Sequence, residues 1–403
     1  MFNQITTKEW DKVSYQTLGL NQEHAKKFQK FLEEKQLAHA LDFGLEGITT
    51  CAHVGIIRFA DFQLNILPKI IGEEDSLCLE NLMFMLRYTR KLEIHSMDSA
   101  EISQTKQPFL EVLIAHYANI LLNALQRHIP HQYETQEDNL PTVKGRILFA
   151  KNHLVNAANL ARTYCQFDEF TSDNLLNQTL KFVSHALQKL TSVSQTRQKL
   201  LKINAVYEDV TLRPVAYAET QKIILNRNQA IFKEPLELAQ MFLQNSTISL
   251  HNHTFTNLAI LFDMNKLFEE FVATALEQAF PGQVKIQNKL KIIEDIDGIP
   301  GTSYTIRPDI LFGKDTIIDT KYKRLSLPED KPSEADIYQM LAYNRFYNRK
   351  NIILCYPMTD EYYPRTTILE KKSISLMLLT LNIHQLLTKN NLNHIIYELM
   401  KRL

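Results

Sequence analysis

The sequence predicts a multi-domain α+β protein. Three observations carry this expectation. β-Branched residues alternate over 47–70 in a run broken by short turns, which reads as a small meander. Apolar residues recur at helical spacing through much of 76–245. The last third runs helix, three strand candidates, helix, strand. A chain of 403 residues fits two or three domains, here set at 1–75, 76–250 and 251–403.

The elements follow in order. "NQEHAKKFQKFLEEKQL" is a polar amphipathic helix ahead of the meander. "SLCLENLMFMLRYTRKL" and "FLEVLIAHYANILLNALQRHI" carry apolar residues at i, i+3 and i+4 and are expected to be helices. "HQYETQEDNLPTVKGRILFAKNHL" reads as a polar connection followed by a short strand or helix start. Residues 171–191 form a helix with Thr171, Ser172 or Asp173 as its expected N-cap. Residues 257–282 read as one long helix ended by Pro281-Gly282. Strands are expected in "QVKIQNKLKII", "YTIRPDILF" and "TIIDTKYK". A helix opened by Pro332 and Ser333 follows, then a buried strand "NIILCYP" and a further strand within "TTILEKKSISLMLLTLN".

Composition narrows the function classes. Lys plus Arg and Asp plus Glu number 45 each, so no chain-wide basic field exists and nucleic-acid contact requires a local patch. The four cysteines, Cys51, Cys78, Cys165 and Cys355, have no zinc spacing and read as reduced thiols of a cytoplasmic protein. The polar opening "MFNQITTKEWDK" gives no secretory leader, and no apolar run is long enough to span a bilayer. No Walker A pattern occurs, so the chain itself is expected to bind no nucleotide.

Chemistry concentrates in "RPDILFGKDTIIDTKYKR", residues 307–324. The turn Gly313-Lys314-Asp315 closes a hairpin. With that loop Phe312 faces Thr316, and counting back, Asp309 faces Asp319. Carboxylates directly opposed across a ladder repel unless a cation sits between them, and Mg²⁺ held by one or two carboxylates plus water fits that need. The two-residue period puts Lys321 on the Asp319 face. The flanking apolar residues suggest a sheet buried on one side and polar on the other. Asp336, Gln339 and Tyr343 form a polar stripe on the next helix, and Glu269 and Glu270 flank the apolar face of the preceding one; periodicity does not choose between them. Read on residues alone, a solvated hairpin with an Asp-Asp-Lys face remains open.

"MNKLFEEFV", "RPDILF", "IIDTKYK" and "DIYQMLAY", with "VGIIRFADFQLNILPKI", "TVKGRILFAKN" and "CQFDEFTSDNLLNQTLKFV" upstream, together resemble the McrC family. These are the nuclease subunits of McrBC-type modification-dependent restriction systems, within the PD-(D/E)xK superfamily. The resemblance implies an α-β-β-β-α-β mixed-sheet nuclease core over 251–403. It implies Asp309, Asp319 and Lys321 as catalytic residues, and Glu269, chosen over Glu270, as the helix acid. Asp309, Asp319 and Glu269 become the metal ligands. Gln339, Tyr343 and Lys323 become supporting or DNA-contacting residues. The cofactor implied is Mg²⁺, with Mn²⁺ able to replace it, and the substrate is double-stranded DNA carrying a possible methyl mark. The partner implied is an McrB-like AAA+ GTPase hexamer. Residues 1–75, with Arg58 and Lys69 in the meander, form the candidate docking element, and Lys144 and Arg146 are further contact candidates. Arg307, Arg324, Arg345, Arg349 and Lys350, with Lys321 and Lys323, form a candidate phosphate-tracking cluster. The competing reading is a regulatory adaptor that activates an AAA+ ring without cutting.

Overall fold

The computed structural model describes residues 3–69, 75–89, 108–249, 252–293, 304–323, 332–358, 365–369 and 374–382. The mixed α+β class expected from the sequence is borne out: helices alternate with several separate sheets. Two compact units are formed, one from Met1–Phe109 with Ala259–Leu403 and one from Leu110–Leu258.

The first unit opens with β1 (Asn3–Lys8), β2 (Lys12–Ser14), α1 (Gln22–Glu34), β3 (Leu41–Phe43), β4 (Gly47–Thr50), β5 (His53–Phe59), β6 (Phe62–Leu67) and α2 (Asp75–Tyr88). The expected meander is divided between two sheets. β4 lies between β2 and β3, whereas β5 and β6 form a hairpin with β1 parallel to β6. α1 is capped by Asn21, whose side chain accepts from His24 N at 2.8 Å. Its apolar stripe, Phe28, Phe31 and Leu32, packs on Phe59, Phe62 and Leu64, with the Phe28 and Phe62 rings edge to face at 5.4 Å.

The second unit contains most of α3 (Phe109–Leu125), then β7 (Gln132–Leu140), β8 (Arg146–Ile147), α4 (Phe149–Asn156), β9 (Thr163–Thr171), α5 (Leu175–Leu190), α6 (Ser194–Val206), α7 (Lys233–Gln244) and β10 (Ser246–Ser249). Sequence periodicity missed β7. Its residues "QYETQEDNL" are polar because the β7-β9-β8 ribbon leaves most of them in solvent, so no hydrophobic alternation marks the strand. α5 starts later than expected. Asn174 caps it, accepting from Asn177 N at 3.1 Å, in place of Thr171, Ser172 or Asp173.

β11 (Thr254–Asp263) pairs through its first half with β10, and its second half returns to the first unit beside β5. Residues 257–263, expected to open a long helix, are therefore strand. The helix α8 begins at Met264, with Asp263 as cap. Gly55 permits the β5–β11 approach. Its φ is +137°, and a Cβ there would lie 2.1 Å from the Ile260 carbonyl oxygen. α8 (Met264–Ala279) buries Leu267, Phe268, Phe271, Val272 and Leu276, and Phe271 packs on Phe84 and Tyr88 of α2 at 5.7 and 5.2 Å.

Beyond α8 come β12 (Val284–Ile286), β13 (Leu290–Ile293), β14 (Tyr304–Ile306), β15 (Ile310–Phe312), β16 (Thr316–Thr320), α9 (Glu334–Tyr347), β17 (Asn351–Met358), β18 (Arg365–Leu369) and β19 (Ile374–Asn382). Two expected strands are each split. β12 and β15 join a mixed sheet ordered β12-β15-β16-β17-β19-β18, while β13 and β14 pair separately. "TTILEKKSISLMLLTLN" supplies two antiparallel strands in place of one. β16 is parallel to β17 and antiparallel to β15. The expected polar, solvated face of the hairpin is also corrected. Both faces of β16 are covered, and Thr316, Ile317, Ile318 and Asp319 are all buried. Met340 and Tyr343 of α9 pack on Leu311, Ile317, Ile352 and Leu354 on one face.

Candidate active site

The hairpin register is the one the three-residue turn implies. Phe312 pairs with Thr316, Leu311 with Ile317 and Ile310 with Ile318, so the next step sets Asp309 opposite Asp319. Gly313 takes a φ of +53° at the turn, and Arg349 Nη1 donates to its carbonyl at 3.0 Å. Arg349 is thereby a clamp on the turn.

Asp309 follows Pro308 and caps the far end of β16. Its Oδ2 accepts from the Thr320 backbone N–H and from the Thr320 hydroxyl, both at 2.7 Å. Asp319 is 1% exposed. Its Oδ2 lies 2.6 Å from Lys321 Nζ. Burial and then the charge of Asp309 push its carboxyl up to about 6, against the pull of Lys321. Lys321 Nζ also donates to Gln339 Oε1 at 2.9 Å and stands 3.8 Å from Asp336. Gln339 in turn donates to the Tyr343 hydroxyl at 2.7 Å, which donates to the Arg307 carbonyl at 3.1 Å. Burial pushes Tyr343 up to about 12, and the charges of Asp319 and Asp309 add to this. The α9 stripe therefore faces the hairpin.

Asp336 binds both lysines, reaching Lys323 Nζ at 3.2 Å. Burial would raise its carboxyl, but the Ser333 and Lys323 contacts outweigh this and hold it below the usual range. Ser333 caps α9, as expected from the sequence, by accepting from Asp336 N at 3.2 Å. Glu269 accepts from Gln287 Nε2 at 2.8 Å. Burial, and after it the charge of Asp309 against that hydrogen bond, raise the Glu269 carboxyl. Gln287 sits at φ +50° and also donates its backbone N–H to the Asp309 carbonyl at 2.8 Å.

Asp309, Asp319, Lys321, Gln339 and Tyr343 thus converge, with Glu269 joined to them through Gln287 and the charge field. Sequence reading missed Gln287 and Thr320, whose roles arise from a backbone turn and a strand end. It placed Asp336 on the stripe but not as the shared counter-ion of two lysines. Of the candidate cations, Lys69 pairs with Asp11 at 3.2 Å and Lys144 with Glu169 at 3.4 Å. Arg324 lies outside the described residues.

Asp319 Oδ2 is buried and takes no hydrogen bond with good geometry, the charge of Asp309 acts on it, and Asp309 is only half-buried. That fits a hard, oxygen-seeking ion such as Mg²⁺, which binds one or two carboxylates and keeps its waters. No group of three His, Cys, Asp or Glu side chains is arranged around one point among the described residues, so the set does not fit a closed all-protein cage.

The profile of the McrBC 5-methylcytosine restriction system component family matches residues 48–357. The chain belongs to this family. The family expected from the motifs is therefore the family found. In fold the chain is similar to a chain of the refined half-complex from the tetradecameric assembly of Thermococcus gammatolerans McrB AAA+ hexamers with bound McrC. The TM-score is 0.77 at 18% identity, covering 98% of this chain and 100% of that one. A chain of the cryo-EM structure of the Thermococcus gammatolerans McrBC complex matches with a TM-score of 0.53 at 20% identity, over 68% of this chain and 88% of that one. A protein of Mycoplasma capricolum subsp. capricolum described as a "Probable DNA helicase II homolog" is 28% identical over 122 residues, 30% of this chain. The match spans only 17% of that relative's length. No helix among the described residues is long and apolar enough to cross a membrane.

Proposed function

We propose that this McrBC-family chain is the nuclease subunit of a restriction complex, a metal-dependent DNA endonuclease of the PD-(D/E)xK type. One observation carries the reading: the hairpin register sets Asp309 opposite Asp319, with the Lys321 ammonium 2.6 Å from the buried carboxylate. In this reading Asp309 and Asp319 hold Mg²⁺, and Glu269, joined to Asp309 through Gln287, lies outside the ion's ligand set. When bound, the ion supplies Lewis-acid polarisation of the scissile phosphate and lowers the pKa of water.

The chain's own residues do the rest. Asp309 is oriented by the Thr320 N–H and hydroxyl, so its second oxygen is left for the ion. Lys321, steadied by Gln339, carries positive charge to the phosphate and orients the attacking water. Attack in line with the departing 3′ oxygen breaks the phosphodiester and leaves a 5′-phosphate. Tyr343 fixes Gln339 and ties α9 to the strand through Arg307. Lys323 and Arg307 flank the site as phosphate contacts.

By likeness to assemblies that contain McrB AAA+ hexamers, the partner is an AAA+ GTPase. A second reading, a non-cutting adaptor, draws on the same ion pair, since Lys321 already neutralises Asp319.

Two readouts on the purified full chain test the nuclease reading. Plasmid cleavage in Mg²⁺, with the partner and GTP, is expected for wild type. It should drop at least about a hundredfold in Asp309→Ala, Asp319→Ala and Lys321→Ala, the scale on which single catalytic groups act. Mg²⁺ should raise the melting temperature of wild type and not of Asp319→Asn, because a ligand that binds only the folded site stabilises it. Undiminished cutting by Asp319→Ala removes the assignment. Partner stimulation without cutting by wild type selects the adaptor.

A further inference from the structure

The segment Asp319-Thr320-Lys321-Tyr322-Lys323 carries more than its acid and lysines. Lys321 continues the ladder past β16, its N–H donating to the Cys355 carbonyl at 2.8 Å. Successive side chains therefore still point to opposite faces. Lys321 reaches α9 at Gln339. Tyr322 goes the other way, its ring 6.1 Å from that of Phe268 on α8, the residue before Glu269.

The Tyr322 hydroxyl then donates to Glu9 Oε2 at 2.9 Å, across 313 residues of sequence. Glu9 is completely buried. It stands just after β1, its N–H donating to the Leu67 carbonyl at the end of β6 at 3.1 Å. The same Oε2 accepts from the Lys69 N–H at 3.0 Å. Its Oε1 has no hydrogen-bond partner among the described residues. A fully buried carboxyl with one oxygen left unsatisfied is costly. At the β1-β6 edge itself the carboxyl satisfies one backbone donor, the Lys69 N–H. The same oxygen is also a fixed acceptor for one tyrosine hydroxyl between the two lysines of the hairpin.

We propose that Glu9 is a positioning residue for the nuclease site: through Tyr322 it fixes the backbone next to Lys321, so the β1-β6 edge of the N-terminal sheet sets the reach of that lysine. The link rests on the nuclease reading above. It acts on lysine placement, not on DNA affinity. Displacement of the β1-β6 edge, by anything that binds it, would be transmitted to Lys321 by one hydrogen bond.

The test uses the full chain with its partner, GTP and Mg²⁺, comparing wild type, Tyr322→Phe, Glu9→Leu, Glu9→Gln, the Glu9→Leu/Tyr322→Phe double variant and Asp319→Ala. Single-turnover cleavage at saturating protein and DNA affinity are measured separately. Tyr322→Phe and Glu9→Leu are expected to slow cleavage about tenfold or more, as misplacement of a catalytic group does, with DNA affinity unchanged. Glu9→Gln, which keeps an acceptor oxygen, should stay near the wild-type rate. The double variant should be no slower than the slower single, because both remove one interaction. Wild-type rates in Tyr322→Phe overturn the link. So do multiplied losses in the double variant, Glu9→Gln as slow as Glu9→Leu, or a loss seen only in DNA affinity. If Glu9→Leu does not fold, Tyr322→Phe and Glu9→Gln decide alone. Undiminished cutting by Asp319→Ala fails the nuclease reading itself and is distinguished from all of these.

Discussion

A carboxylate that folds into a dry place reports a conflict between charge and burial, and this chain does so at Asp319 and Glu9. At Asp319 the conflict has a chemical use in the proposed site, where a cation would relieve it. At Glu9 it leaves a thermodynamic mark. Burial, opposed by the Lys69 N–H and the Tyr322 hydroxyl, pushes Glu9 up from 4.5 to about 7. The folded protein thus holds the proton more tightly than the unfolded chain between those values. Stability from this group is fully present below about pH 4.5 and is lost as pH rises to about 7, by about 3 kcal/mol as an order of magnitude. Glu9→Gln stays neutral throughout. Its melting temperature should therefore gain on that of wild type as pH is raised from 5 to 8. Thermal unfolding at both pH values checks this, and a constant difference between the two proteins would contradict it.

At the scale of elements, the sheets are positioned by a few close backbone approaches that no hydrophobic pattern records. Gly55 is the clearest. An added methyl would meet the Ile260 carbonyl oxygen at 2.1 Å, and the residue's φ of +137° is one that side chains avoid. Gly55→Ala is expected to destabilise the first unit by at least about 2 kcal/mol, the range of core overpacking and strained backbone. Denaturant unfolding measures it, and a change below 0.5 kcal/mol would mean that β5 and β11 slide apart freely. The two hairpin strands of the site depend on a different device. The turn at Gly313 fixes the pairing, and because the strand period is two, a slip by one residue would carry Asp319 to the Tyr322 face.

For the molecule as a whole, charge balance and motif content argue for division of labour. The chain carries equal numbers of acidic and basic residues and no Walker A loop. Among the described cations near the site, Lys321 and Lys323 are paired with acidic partners and Arg349 donates to the Gly313 carbonyl. In the proposed reading, DNA recruitment and nucleotide turnover fall to the partner. The purified chain alone is expected to hydrolyse no GTP and to cut plasmid at least tenfold more slowly than with an McrB-type partner and GTP. Phosphate release and gel assays read both. Equal cutting without the partner would favour a stand-alone nuclease.

The sequence by itself determined the α+β class, the family, the hairpin register and which side chains of the hairpin and the following helix, Asp309, Asp319, Lys321, Gln339 and Tyr343, lie together. The register and the shared face rest on short-range spacing, where turn length and strand or helix period fix which side chains lie together, whereas the family rests on the likeness of whole motifs to known ones. It did not reveal β7, whose exposed polar residues carry no alternation, nor β11, whose apolar run "NLAILF" before Met264 looks the same as the start of a helix. Only the tertiary structure decided that both faces of the hairpin are covered, that Asp336 serves two lysines, and that Gln287 and Glu9 reach the site segment. Each of those depends on contacts between residues far apart in the chain, which local periodicity does not encode.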